Sequence, residues 1–222
     1  PGIQVAELKP AGDGQVDARL VVSADCPLGL HALRVRTATG ISNLALLSVG
    51  SLPEVPEQEP NSDFAHPQSV PLGCTIRGVV QNEDVDYFAV QATQGQRIAV
   101  ELEGVRLGAP PGDGTLFDPY VAILNAQRYE VARCDDATLL QQDCLCAAVV
   151  PQDGTYLIEV RESAYGGSDA CRYRLHVGSF PRPTAVFPSG GRPGEAGPLR
   201  WLGDPGGEWI ADITLPTAAG EV

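Results

Sequence analysis

Apolar and polar side chains alternate with a period of two along most of this chain, and that spacing predicts β-strands rather than helices. Between Cys74 and Val177 eight strand-like runs recur: Thr75 to Val80, Tyr87 to Ala92, Arg97 to Leu102, Tyr120 to Leu124, Glu130 to Arg133, Leu145 to Val150, Tyr156 to Val160 and Arg172 to Val177. Within them Phe88, Val90 and Ala92 alternate, as do Ile98, Val100 and Leu102, Tyr156, Ile158 and Val160, and Tyr173, Leu175 and Val177. These sets form the expected core, and eight strands suffice for a two-sheet sandwich.

The flanks carry the same signal in shorter pieces. Residues 1–50 hold four runs, Ile3 to Leu8, Val16 to Val22, His31 to Arg36 and Leu44 to Val49, separated by Gly, Pro, Asp and Asn. Residues 51–73 carry five prolines and little periodicity and read as an acidic, Pro-rich linker, which places a domain boundary there. Residues 181–222 add short apolar runs around Trp201 and from Trp209 to Ile213, too little to close an independent sandwich. They either complete strands of the first flank or begin a further domain.

Composition agrees with an all-β chain: 25 glycines and 19 prolines suit many tight turns. A formal net charge of −13 offers no field to attract phosphate backbones or anionic lipid, so nucleic acid is excluded as a partner class. No apolar run is long enough to cross a bilayer. With no methionine and Pro1 at its start, the chain is expected to be a processed or excerpted piece of a larger protein. Six cysteines without paired CxxC spacing point to a disulfide-permissive compartment, with buried thiols as the alternative. The close pair Cys144 and Cys146 is expected to find different partners rather than a shared metal.

Catalytic chemistry finds little support. The histidines, His31, His66 and His176, fall in a strand, a proline linker and another strand, and no G-x-S-x-G elbow accompanies them. Trp201 and Trp209 both lie in the last segment, so an aromatic sugar-stacking platform is not indicated in the central domain; Tyr120, Tyr129 and Tyr165 read as ordinary strand and loop tyrosines or as decoration of a binding face.

The string GVVQNEDVDYFAVQATQGQRIAVELE, then LFDPYVAILNAQRYEVARCDD, VPQDGTYLIEVRES and YRLHV, resembles the bacterial pre-peptidase C-terminal domain family. The motifs that carry the resemblance are Asp84-x-Asp86-Tyr87-Phe88, the Gly95 turn, Asp118-Pro119, Asp135-Asp136, Asp153-Gly154-x-Tyr156 and the closing Tyr173-x-Leu175, in order. The resemblance implies a jelly-roll-like antiparallel β-sandwich used as an accessory module of secreted proteins. More weakly, CPLGLHALRVRTATGISN resembles the last strands of an Ig-like TIG domain and AVFPSGGRPGE the first strand and turn of another. That order is similar to large surface proteins of planctomycete-type bacteria. The expected organisation is therefore an Ig-like part over 1–50, a linker over 51–73, a pre-peptidase-type sandwich over 74–180 and Ig-like strands over 181–222. The cysteines depart from the family pattern, and Cys134 with Cys144 or Cys171 would bridge the loop that follows Cys134.

Collagen-binding modules related to that family hold calcium between an acidic linker and acids at the start of a D-Y-F-like strand. Carried onto this chain, the resemblance implies Glu57, Glu59 and Asn61 from the linker, with Glu83, Asp84 and Asp86 from the strand start, as ligands of a calcium ion that wants six to eight oxygens. The alternative is that these acids are solvated and keep the linker extended. A second set, Asp118, Asp135, Asp136 and Asp143, either converges on a structural cation or serves ordinary turn chemistry. The functional expectation is a non-enzymatic, calcium-stabilised adhesion module, extracellular, periplasmic or on the cell surface, binding matrix, polysaccharide or envelope polymer. A spacer or scaffold in a multi-domain surface protein is the other reading, and the incomplete flanks raise strand exchange between copies.

Overall fold

A computed structural model describes residues 2–12, 14–108, 116–138 and 140–218. The chain divides into two units, Pro1–Ser51 and Leu52–Val222. Among the described residues no helix is long and apolar enough to cross a membrane.

In the first unit β1 (Ile3–Gly12) pairs antiparallel with β2 (Gln15–Val22), and β3 (Gly29–Leu33) with β4 (Ala45–Val49). A bulge between Val5 and Glu7 reverses the side-chain parity, so the apolar face passes from Val5 to Leu8, opposite Leu20 and Ala18. Glu7, Lys9 and Arg19 share the other face, where Lys9 lies 2.9 Å from Glu7. The third strand sits two residues earlier than its alternation predicts. Val35 leaves it because its N–H donates to Ser42 Oγ and its carbonyl accepts the Ser42 N–H, both at 2.8 Å, which closes a tight loop.

The second unit is an all-β, two-sheet sandwich. Its strands are β5 (Glu54–Pro56), β6 (Gln68–Ser69), β7 (Cys74–Val79), β8 (Val85–Ala92), β9 (Arg97–Glu103), β10 (Pro119–Leu124), β11 (Glu130–Cys134), β12 (Leu145–Val149), β13 (Gly154–Glu162) and β14 (Arg172–Gly178). One sheet has the order β11-β10-β13-β8-β6 and the other β12-β9-β14-β7-β5. From β7 to β14 the chain changes sheet at every connection except the β10–β11 hairpin, a jelly-roll-like path. Gly95, at φ 79°, makes the β8–β9 turn in a left-handed conformation that suits glycine. The four alternating sets all face inward and pack into one core with Ile76, Val121 and Ile123. Each large side chain fully buried there contributes about 1.5–3 kcal/mol relative to exposure.

Residues 52–73, nearly all of the expected linker, run along the sandwich. β5 adds parallel to β7 and β6 adds parallel to β8, so the segment forms an edge of both sheets, and 57–67 straps one side from sheet to sheet. Edge positions are where prolines can be accommodated in a sheet. Gln68 pins the strap: its Nε2 donates to the Pro56 carbonyl at 3.0 Å and its Oε1 accepts the Gln58 N–H at 2.9 Å. Glu54, Thr75 and His176 lie in one row across β5, β7 and β14.

After β14 the chain builds a three-stranded sheet from β15 (Ala185–Phe187), β16 (Ala196–Leu202) and β17 (Trp209–Thr214), with Trp201 stacked on Trp209. Asp204, between β16 and β17, fastens this segment to the sandwich. It accepts Arg97 Nε at 3.0 Å, the Arg182 N–H at 2.5 Å and the Gly206 N–H at 2.7 Å. Burial alone would raise its carboxyl, but these N–H groups and the Arg97 charge hold it below the usual range.

Candidate functional site

The strap brings linker acids against the end of the core where β7, β8 and β14 meet. Asp86 shares the inward face of β8 with Phe88 and Val90, and Tyr173 shares the inward face of β14 with Leu175, so both polar groups are carried into the sandwich by strand parity. The Tyr173 hydroxyl spans the two sheets, 2.7 Å from Asp86 Oδ2 and 2.8 Å from Glu57 Oε1. It carries one proton and faces two carboxylates, so it can donate to only one of them at a time. Glu57 Oε2 accepts the Val79 N–H at 3.0 Å, and Glu59 Oε2 accepts the Asn61 N–H at 3.0 Å. One oxygen from each of Glu57, Glu59 and Asp86 lies within 4.8 Å of the others.

Asp86 is 0% exposed and Asn61 1% exposed, yet Asp86 Oδ1, Asn61 Oδ1 and Asn61 Nδ2 have no hydrogen-bond partner. Unsatisfied buried groups of this kind each cost about 1–3 kcal/mol, more when charged. Among the described residues no Lys, Arg or His forms an ion pair with Glu57, Glu59, Asp84 or Asp86. Burial, followed by repulsion from Glu57, pushes the Asp86 carboxyl up to about 9. Burial also raises Glu59, with Asp84 and Glu57 adding to the effect, and holds the Tyr173 phenol well above its usual value. The donors present are all oxygens, which suits a hard cation and not zinc.

The six residues inferred from the sequence are not equally placed. Glu57, Glu59, Asn61 and Asp86 converge. Asp84 stands beside them but is engaged, accepting the Ser62 hydroxyl at 2.8 Å. Glu83 lies exposed in a left-handed turn at φ 60°, with its N–H bonded to the Tyr165 carbonyl, and does not join the group.

Two site residues escaped the sequence reading. Tyr173 was expected only as core, although a buried phenol needs a partner and so flags a polar contact. Gly78 lies opposite it, and a Cβ there would sit 2.4 Å from the Tyr173 hydroxyl and 2.7 Å from Glu57 Oε1. Gly78→Ala is therefore expected to displace Tyr173 or the strap and to weaken any cation bound by Glu57. Calorimetric titration of the variant checks this, and wild-type affinity would contradict it.

The second acidic set does not form one centre. Asp143, 0% exposed, caps the 3-10 turn Val105–Leu107: it accepts the Gly104 N–H at 2.9 Å and the Val105 N–H at 2.7 Å, and pairs with Arg106 Nε at 2.6 Å. Asp118 and Asp135 bond instead to Gln142 and Ser163. Burial, then repulsion from Asp135 and Asp136, raises Asp118.

His176 lies 2.8 Å from Thr75 Oγ1 and 3.3 Å from Glu103, an arrangement with the order of a hydrolytic triad. Thr75 is fully buried as a cross-strand neighbour, so its hydroxyl is closed to a substrate. His31 bonds the Pro27 carbonyl and His66 pairs with Asp63 on the surface.

The outer face of the β10-containing sheet carries an aromatic and arginine layer. Arg161 lies over the rings of Tyr120, at 3.9 Å, and Tyr165, at 4.5 Å, while Arg128 covers Phe64, which meets Tyr87 edge-on.

No protein-family model matches the chain, and neither does any curated protein. Among solved structures it is similar to the pre-peptidase C-terminal domain of a collagenase from Bacillus anthracis, with 16% identity and a TM-score of 0.36, over 58% of this chain and 99% of that one. It is also similar to PliG of Aeromonas hydrophila, a periplasmic inhibitor of g-type lysozyme, with 17% identity and a TM-score of 0.36, over 50% of this chain and 95% of that one.

Proposed function

We propose that this chain is a non-catalytic, extracellular recognition module of a larger secreted or surface protein, and that calcium locks its strap. Glu57, Glu59, Asn61 and Asp86 would hold the ion, with Asp84 adding negative charge beside them. The observation that carries this reading is the pair of buried, unpartnered oxygens, Asp86 Oδ1 and Asn61 Oδ1, next to carboxylates that lack a counter-charge. When bound, the cation supplies that counter-charge and ties strap to core. Titration of chelator-stripped protein is expected to give saturable heat, with a dissociation constant on the order of 10⁻⁴ M, in the range of extracellular modules. The absence of heat would remove the metal from the proposal.

Recognition is assigned to the exposed ring of Tyr165, which Arg161 and the buried Tyr120 hold in place, because a rigid aromatic ring supplies binding area at low entropic cost. Its partners would be matrix protein, polysaccharide or envelope polymer. On polysaccharide and fibrous-protein arrays the module is expected to be retained specifically, and a Tyr165→Ala variant to lose at least tenfold in retention. The spacer reading is favoured by the Asp204 fastening, which ties the last sheet to the sandwich. Retention on no array surface would select it.

A further inference from the structure

We propose that Cys134 and Cys144 form a disulfide that staples the side of the sandwich opposite the strap. No disulfide joins the described cysteines in this structure. Cys134 is the last residue of β11 and Cys144 immediately precedes β12, and these two strands are the edges of different sheets. The intervening loop is pinched by a hydrogen bond from the Ala137 N–H to the Asp143 carbonyl at 3.1 Å. The thiol contacts are reciprocal. Cys144 Sγ lies 3.1 Å from the carbonyl of Asp135, the residue after Cys134, and 2.9 Å from that of Pro119. The Cys134 thiol in turn neighbours the Cys144 thiol and the N–H of Leu145, the residue after Cys144.

Cys146 faces the core from β12 as the third thiol near this pair. Cys74 starts β7 opposite Val177, Cys171 sits 3.9 Å from the Ser168 hydroxyl, and Cys26 belongs to the first unit. Of the two bridges considered from the sequence, the fold brings Cys134 to Cys144 and not to Cys171.

The two thiols also divide the labour that exchange chemistry needs. Cys134 is half-buried, and the hydrogen bond from Cys144, stronger in effect than its burial, lowers its pKa to about 7. Cys144 is buried, and its bond to Cys134, then burial, keeps it protonated. With a small-molecule disulfide such as oxidised glutathione as oxidant, the Cys134 thiolate attacks one sulfur and releases one glutathione thiolate, which takes up a proton. Cys144 then loses its proton and displaces the second glutathione from the mixed disulfide. Two protein thiols are oxidised, one glutathione disulfide is reduced to two thiols, and the exchange balances.

The test incubates the native chain with oxidised glutathione, removes it, and alkylates the protein in denaturant. Two fewer thiols are expected to react than in reduced protein. Digestion with trypsin and then at aspartate separates Cys134 from the peptide that begins at Asp143, and the linked pair is expected by mass. The link should be absent in Cys144→Ser and retained in Cys146→Ala. Reduction is expected to lower the melting temperature of the oxidised protein by about 5–10 °C. Full alkylation of both residues, a link from Cys134 to Cys171 or Cys146, or glutathione held on Cys134 without closure would each overturn the proposal.

Discussion

Stripped of calcium, the protein is expected to lose stability steadily as pH rises from about 5 towards 9. The sign follows from Asp86. Its carboxyl is held at about 9 in the fold, against about 3.9 when unfolded, so across that window the native state binds the extra proton. Whatever stability that proton supports is present in full below the unfolded value and is lost as pH climbs through the folded one. Glu57, Glu59, Asp84 and Tyr173 are the titratable groups around it, and none brings a positive charge. Calcium bound as proposed would displace that proton, so saturating calcium is expected to flatten the profile. It should add about 2.7 kcal/mol at one hundred times the dissociation constant, or about 5–10 °C in melting temperature. Asp86→Asn should flatten the stripped profile by itself and abolish the calcium gain, as should Glu57→Ala for the gain alone. Thermal melts at pH 5, 7 and 9, with chelator and with calcium, check all of this. A stripped protein whose stability rises over that range would refute the protonated Asp86.

The largest loss from a single side chain is expected at Asp143, far from the strap in the chain and in role. Asp143→Ala removes the carboxylate from the Arg106 guanidinium and leaves the Gly104 and Val105 N–H groups without their acceptor. Breaking a buried ion pair from one side costs about 3–5 kcal/mol. Urea unfolding should show that loss while calcium affinity stays at the wild-type value. A cost below about 1 kcal/mol would mean that the 104–107 turn is held by something other than this carboxylate.

Much of the fold was legible because it depends on period two. Phe88, Ile98, Ile158 and Leu175 face inward as their alternation demands, and β8, β9 and β13 appear where Tyr87, Arg97 and Tyr156 announce them. What alternation does not encode is partnership between distant segments. Tyr173 reads as one more inward residue, and nothing local says that its hydroxyl meets Glu57, which lies more than a hundred residues earlier in the chain. The turn at Val105–Leu107 is too short to carry a periodic signal, so the acceptor role of Asp143 stayed hidden behind a loop-like sequence. The prolines around Val55 suggested an unpaired linker, while an edge position lets Glu54–Pro56 pair on one side only. Glu83 and Asp86 look alike as acids near a strand start; the left-handed turn at Glu83 separates them.

The row formed by Glu54, Thr75 and His176 sets how the sandwich would respond to tension. The chain arrives at β5 and departs from β14 at the same pole, with only β7 between them, so the two points of attachment are about 10 Å apart. Once the Asp204 fastening is released, a sandwich suspended in this way would hang beside a polypeptide under load and add little to its length. Pulling on its two leads would part the β5–β7 hydrogen bonds one after another, as a zip opens, and would not shear them together. The proposed calcium site, at the Gly78 end of β7, is where that opening would stop.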